Sequence, residues 1–307
     1  MILSTNLQQH SNKRNQSLVK YPMYSISPVN ILKASCGSFE EKPDLVVVEE
    51  PLEIRLGYGS INNRQQRSVS VTMRTPSHDF ELALGFLYSE GIITSYDQVM
   101  SVKYCVDTGK QSTENIVRVE LKPHVSVNLK SLQRNFYATS SCGVCGKASI
   151  EAVNNMICDL PKQKVEESTL RVSYDYIIGL TGTLSMYQSV FEHTGGLHAA
   201  ALFDEFGNIN SLREDIGRHN ALDKVIGNAL TQNLLPLHNR VLLMSSRASF
   251  ELIQKVVMAN ISIIITIGAP SSLAIKTAEQ FNITLIGFLR KDTFNVYSGK
   301  ERLSFLL

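Results

Sequence analysis

Apolar positions along this chain follow two textures that change near residue 140. In the first half they are short and alternating. Leu45 to Val48, Leu52 to Leu56 and Ser68 to Met73 read as strands, the last because Val69, Val71 and Met73 alternate with Ser68, Ser70 and Thr72. Phe80, Ala83, Leu84 and Leu87 then share one helical face, with Ser77 and Asp79 as expected caps and Gly91 as the stop. Val99 to Val106 and Ile116 to Leu121 follow as strands around the turn signal Asp107-Thr108-Gly109. This predicts a small strand-rich α+β domain over residues 43–138.

In the second half helices alternate with strongly apolar strands. Helical spacing runs over Ser149 to Leu160 and over Tyr176 to Val190, the latter interrupted by Gly179 and Gly182. His198 to Asp204 and Ile209 to Arg213 form a hairpin pattern around Gly207-Asn208, followed by a helix from Asn220 to Leu230. Val241 to Met244, Ile261 to Ile267 and Thr284 to Leu289 are apolar runs separated by helical stretches containing Leu252 to Met258 and Leu273 to Phe281. Apolar strands with helices between them imply a sheet covered on both faces, so residues 139–307 are expected to form a three-layer α/β domain.

The head departs from both textures. Met1 to Phe39 holds Lys13, Arg14, Lys20 and Lys33 but no acid, is rich in Ser, Asn and Gln, and shows no apolar period. Residues 1–42 are therefore expected to be a flexible basic extension. It lacks the apolar segment of a secretory signal. The whole chain carries a net charge of +2, too balanced for a protein that neutralises a nucleic-acid backbone. No apolar run approaches the ~18 residues of a membrane helix, and a cytoplasmic location is expected.

Five cysteines at irregular spacing do not make a disulfide framework. The pair Cys142 and Cys145, in Ser141-Cys142-Gly143-Val144-Cys145-Gly146-Lys147, stands before a helix pattern. A helix N-terminus and a nearby Lys147 favour the thiolate, so thiol chemistry is one reading of the pair. Half of a zinc site and two packed thiols are the others; zinc needs two more ligands, and only scattered residues such as Cys158, His124 and His198 offer them. A thioredoxin-like enzyme would carry its pair after an early strand, and a nucleobase deaminase would need a His-x-Glu that neither His78 nor His124 supplies.

Three further clusters are candidates. Thr194-Gly195-Gly196-Leu197-His198 permits close approach to a ligand, with His198 as a hydrogen-bonding or proton-handling group. Glu214-Asp215-Ile216-Gly217-Arg218-His219-Asn220 lies at a helix start where Arg218 and backbone N–H groups suit a phosphate; a cap with surface ion pairs explains it equally. Phe288-Leu289-Arg290-Lys291-Asp292-Thr293 follows the last strand, at the carboxyl end where α/β sheets bind ligands, although a basic surface turn has the same composition.

In this order the segments resemble the FdhD family of formate dehydrogenase accessory sulfurtransferases. The resemblance runs from about Glu49 to Tyr297 and includes Glu50-Pro51-Leu52-Glu53-Ile54, Met73-Arg74-Thr75-Pro76, Leu82-Ala83-Leu84-Gly85-Phe86-Leu87, Ser141-Cys142-Gly143-Val144-Cys145-Gly146, Thr194-Gly195-Gly196-Leu197-His198, Asp215-Ile216-Gly217-Arg218-His219-Asn220-Ala221 and Ala269-Pro270. It implies a cytidine-deaminase-like second domain without deaminase chemistry, and a homodimer. It implies a cysteine desulfurase partner that loads a persulfide on Cys142. It also implies transfer to the molybdenum (or tungsten) bis(molybdopterin guanine dinucleotide) cofactor of formate dehydrogenase, bound as the sulfur-accepting substrate at Phe288 to Thr293, with no permanent metal. His198, Arg218 and His219 fall on the pocket wall by the same resemblance. Three positions depart from it: Ser246 and Asn260 stand where the pattern has Gly, and Gly268 where it has Ser.

Overall fold

The computed structural model describes residues 25–105, 114–127, 168–187 and 194–304. Strands β1 (Ile26–Ser35) and β2 (Ser38–Val47) form an antiparallel ribbon, in register from Ile26 against Val47 to Ser35 against Ser38. Cys36 (φ 45°) and Gly37 (φ 83°) make its turn, both with the positive φ that matches strand twist in a two-residue hairpin. This corrects the flexible extension expected up to residue 42. Pro28 and Pro43 argue against strands within a sheet, yet a two-stranded ribbon is all edge, where proline is tolerated.

A four-stranded sheet comes next, ordered β4-β3-β6-β5 and built from β3 (Glu50–Tyr58), β4 (Gln65–Arg74), β5 (Val99–Tyr104) and β6 (Ile116–Leu121). β3 and β6 are parallel; the outer pairs are antiparallel. Helix α1 (Asp79–Ser89) covers one face, burying Leu82, Ala83 and Leu87 among Leu52, Ile54, Leu56, Val117 and Val119. Its start differs from the expectation. His78, at φ 56°, occupies the N-cap position with no side-chain cap, and Asp79 instead receives a bidentate bond from the buried Arg74 guanidinium (Nη2 to Oδ2 2.8 Å).

The second sheet has six strands in the order β13-β12-β11-β10-β8-β9. β8 (His198–Phe203) and β9 (Ile209–Asp215) form the expected hairpin; β10 (Val241–Met244), β11 (Ile263–Thr266) and β12 (Thr284–Gly287) are parallel, with β13 (Asn295–Ser298) antiparallel at the edge. Alternate residues of each strand enter opposite cores. Leu242, Met244, Ile264 and Leu285 meet the layer of α3 (Arg218–Thr231), α4 (Phe250–Met258) and α5 (Ser272–Gln280). Leu243, Ile263, Ile265 and Ile286 join Ile177 and Leu180 of α2 (Tyr174–Tyr187) on the other face. The three-layer expectation holds, with α2 running through Gly179 and Gly182. A short parallel pair, β7 (Val172–Ser173) and β14 (Leu303–Ser304), closes that second face. The boundary placed at residues 138/139, the helix at Ser149 to Leu160 and the turn at Asp107-Thr108-Gly109 lie outside the described residues.

The two units share buried interactions. α1 and α3 touch backbone to backbone at Gly85 and Gly227: a Cβ on Gly85 would lie 1.8 Å from the Asp223 carbonyl oxygen, and one on Gly227 1.9 Å from that of Glu81. Around this crossing, Arg213 and Asn228 donate to Glu81, and Lys224, fully buried, pairs with Asp215 at 2.7 Å while donating to the Thr75 carbonyl. The two sheets are therefore positioned by a close helix contact and by the buried polar bonds around it.

Candidate functional site

The carboxyl ends of β10, β11 and β12 deliver three loops side by side. The Gly268 N–H donates to the Ser246 carbonyl (3.0 Å), the Phe288 N–H to that of Gly268 (3.2 Å), and the Ala248 N–H to that of Ala269 (3.2 Å). Because β8 runs antiparallel to β10, its amino end with His198 lies at this same edge, and so does the carboxyl end of β9, whose Asp215 pairs with His198. α3 starts there too. In open α/β sheets this edge is where ligands bind, because loops can vary while strands hold them rigidly.

The loop after β12 exposes five of the six residues expected to bind a ligand. Phe288, with φ 53°, is an aromatic residue in the left-handed region and is exposed. The Arg290 N–H closes a turn onto the Thr293 carbonyl (2.8 Å), and Arg290 Nη1 donates to the carbonyls of Ile267 (2.7 Å) and Leu289 (2.9 Å). Its guanidinium carbon lies 5.9 Å from the centre of the Phe288 ring. Lys291, Asp292 and Thr293 are exposed beside it. Leu289 differs: its side chain is 1% exposed and packs into the core beneath the sheet, anchoring the loop. Tyr174, which opens α2, fastens the far end by donating its hydroxyl to the Asp292 carbonyl (2.5 Å) and packing on Phe294. The bond is isolated in sequence by 118 residues, and no periodicity predicts it.

The cluster at the start of α3 divides in two. Asp215 and Asn220 face inward: Asp215 accepts from the Thr75 and Gly217 N–H groups and from Asn220, and Asn220 also donates to the Met73 carbonyl. These residues tie the Met73-Arg74-Thr75 segment to the second sheet through buried bonds, where the sequence suggested a cap with surface ion pairs. Arg218 and His219 remain at the edge, His219 Nε2 lying 3.4 Å from the Ser249 hydroxyl. Among the described residues Arg218 Nε is buried without a hydrogen-bond partner. His198 is half-buried; burial, then the nearby Arg218 and Arg247 charges, push its pKa below the ordinary histidine value, against the opposing pull of Asp215. Arg247 was not singled out in the sequence, although it follows an apolar strand as Arg290 does.

Cys142 and Cys145 lie outside the described residues. Arg290, Lys291, His198, Arg218 and Arg247 are brought to one edge.

The departures have physical readings. Asn260 sits one residue past the C-cap of α4 at φ 56°, the left-handed position that Asn tolerates almost as well as Gly. Ser246 and Gly268 are hydrogen-bonded neighbours, and a Cβ on Gly268 would meet the Arg247 backbone nitrogen at 2.9 Å. Gly268→Ser alone is expected to destabilise by about 1–3 kcal/mol through overpacking. Adding Ser246→Gly, which frees the neighbouring backbone to shift, is expected to recover most of that loss in a denaturant-unfolding cycle.

These features define a two-unit mixed α/β protein whose second sheet presents a basic, loop-lined edge. The chain belongs to the FdhD/NarQ family, whose model matches residues 47–304. It is 47% identical over 274 residues to a protein of Mycolicibacterium paratuberculosis named Sulfur carrier protein FdhD, covering 88% of this chain and 95% of that one. Proteins of the same name from Streptomyces avermitilis (44% over 280 residues, 89% and 94% covered) and Sulfurisphaera tokodaii (41% over 278 residues, 91% and 99% covered) are also similar. A crystal structure of a Desulfotalea psychrophila protein assigned as a formate dehydrogenase accessory protein superposes with a TM-score of 0.69, covering 91% of this chain and 99% of that one. At 20% identity it supports the fold alone. No described helix is long and apolar enough to cross a membrane.

Proposed function

We propose that this protein is a sulfur carrier that serves formate dehydrogenase maturation, accepting sulfur from a cysteine desulfurase and passing it to a molybdenum or tungsten bis-guanine-dinucleotide cofactor. The observation that carries the reading is 41–47% identity, across nearly the whole chain, to proteins named as sulfur carriers. In the loading step the Cys142 thiolate attacks the terminal sulfur of the desulfurase persulfide. One S–S bond forms on Cys142, one breaks, and the desulfurase thiolate leaves without net redox change. For delivery, the Cys145 thiolate attacks the inner sulfur of the Cys142 persulfide. The terminal sulfur leaves as hydrosulfide for the metal, and the two cysteines are left as a disulfide that a cellular thiol reductant must reopen. The basic edge supports the cofactor half of the reading, since Arg290 and Lys291 suit anionic diphosphates and Phe288 offers a surface for a base. A cytidine-deaminase-like ancestry of the second unit, a homodimeric assembly and a cytoplasmic location complete the proposal.

The test is intact mass before and after incubation with a cysteine desulfurase and cysteine, on wild type, Cys142→Ala and Cys145→Ala. The expected result is a gain of about one sulfur atom that cyanide removes, retained in Cys145→Ala and lost in Cys142→Ala. Wild type without any gain, or a gain unaffected by Cys142→Ala, refutes the carrier role assigned to Cys142.

A further inference from the structure

We propose that the amino-terminal edge of the second sheet carries an oxyanion site of its own, in which Arg302 and Arg171 hold a dianionic phosphoryl group. It lies at the opposite end of the parallel strands from the loop of Arg290 and Lys291, and it does not rest on the sulfur-carrier reading.

Placement is the first argument. β12 begins at Thr284, and the turn after β13 is fastened to that start: the Thr284 hydroxyl donates to the Gly299 carbonyl (2.7 Å) and the Ser298 hydroxyl to that of Ile283 (2.7 Å). The Arg302 N–H donates to the same Gly299 carbonyl (3.2 Å). β14 then pairs in parallel with β7, Leu303 against Val172, so Arg302 and Arg171 stand one position before that pair on neighbouring strands. Paired strands run about 4.8 Å apart, which brings both arginines within reach of one small anion.

The second argument is a buried donor without an acceptor. The Arg302 side chain is 4% exposed, and among the described residues its Nε is buried without a hydrogen-bond partner. Its desolvation is uncompensated until an acceptor reaches it. Arg302 Nη1 lies 3.3 Å from Thr284 Oγ1, whose own proton goes to Gly299, and 3.3 Å from Glu301 Oε1. The Glu301 side chain is 57% exposed, so this ion pair is screened by solvent and weak.

The third argument is unspent charge. Arg171 is exposed, donates through Nη1 to the carbonyls of Ser168 (3.2 Å) and Leu170 (3.1 Å), and has no ion pair among the described residues. Burial lowers the Arg302 pKa, Glu301 pulls it up, and the Arg171 charge lowers it again, so the two guanidiniums feel each other. Lys300, exposed on the same turn, adds a third cation. Three positive charges against one screened carboxylate favour a dianion over a monoanion, and the guanidinium fork suits phosphoryl oxygens. On binding, the anion takes the place of the Glu301 carboxylate at Nη1 and gives Nε its acceptor.

The experiment titrates inorganic phosphate into the full chain by calorimetry at about pH 8, above the second phosphate pKa, with wild type, Arg171→Ala, Arg302→Lys and Glu301→Gln. Loss of one charge-assisted contact is expected to weaken binding about tenfold in Arg171→Ala, and Arg302→Lys, which keeps the charge but not the fork, is expected to lose a similar factor. Glu301→Gln, which removes the competing carboxylate, is expected to tighten it. Arg171 is exposed, so its variant remains informative if Arg302→Lys fails to fold. No binding to wild type, or affinity unchanged by Arg171→Ala, overturns the site. Binding that disappears in Arg290→Ala/Lys291→Ala belongs to the opposite edge and overturns it as well. Acetate bound as tightly as phosphate overturns the dianion assignment. Displacement of phosphate by methyl phosphate supports a phosphomonoester source, and failure to displace it overturns that source in favour of the free ion.

Discussion

Gly85→Ala and Gly227→Ala are each expected to destabilise the protein by about 3 kcal/mol or more, although alanine ordinarily strengthens a helix interior by ~0.5–1 kcal/mol relative to glycine. The reason is the contact between α1 and α3. A Cβ on Gly85 would fall 1.8 Å from the Asp223 carbonyl oxygen and 2.8 Å from the Gly227 nitrogen. On Gly227 it would fall 1.9 Å from the Glu81 oxygen and 2.9 Å from the Glu81 Cα. Every obstructing atom is helix backbone, so no side chain can rotate away and the helices must separate. Separation would also lengthen the bonds of Arg213 and Asn228 to Glu81 and those of Lys224 to Thr75, which depend on the same crossing. Gly179→Ala in α2 is the control, because nothing among the described residues lies within 4 Å of its Cβ position. Denaturant unfolding should show it neutral or slightly stabilised. Equal effects at Gly85, Gly227 and Gly179 would mean that the crossing does not bear on stability.

The second large effect is expected at Asp223. Its carboxylate accepts from Lys255 Nζ at 2.9 Å on both oxygens and from the Ser89 hydroxyl at 2.9 Å, joining α1, α3 and α4 in the interior. Burial works against the Lys255 ammonium, but Asp223 and, behind it, Glu90 outweigh that cost and hold its pKa above the ordinary lysine value. A pKa raised on folding contributes stability that is complete below the unfolded lysine range and is lost as pH climbs through the folded value. Asp223→Asn leaves the ammonium buried without its counterion, and a loss of about 3–5 kcal/mol is expected at pH 7. Asp223→Asn/Lys255→Met removes the stranded charge and is expected to recover a large part of the loss. A double variant as unstable as the sum of its single changes would show that the pair does not act as a unit.

Both effects concern residues whose role the sequence hides. Gly85 and Gly227 look like ordinary helix glycines, and nothing local separates them from Gly179, because the difference lies in a partner helix more than a hundred residues away. Asp223 and Lys255 are likewise unremarked polar positions on apolar helices until packing seals them inside.

What the sequence determined by itself was local periodicity and composition. Alternation at Val69, Val71 and Met73, helical spacing from Phe80 to Leu87 and the apolar runs at Val241 to Met244 and Ile261 to Ile267 follow from which face each residue must bury, and those elements are present. The strand-end position of Arg290 and Lys291 was legible for the same reason, since a strand's carboxyl end is set by chain direction. Tertiary structure alone decided the rest. All of the β1–β2 ribbon before Leu45 escaped notice because its strands draw their hydrogen bonds from each other and leave much of their apolar surface exposed. Leu289 belongs to the core because the left-handed turn at Phe288, past the end of β12, brings its side chain to the face of Ile286, while Arg218, Arg247 and His198 converge because β8 runs antiparallel beside β10. Pairing between distant segments depends on which surfaces meet, and no window of sequence contains both.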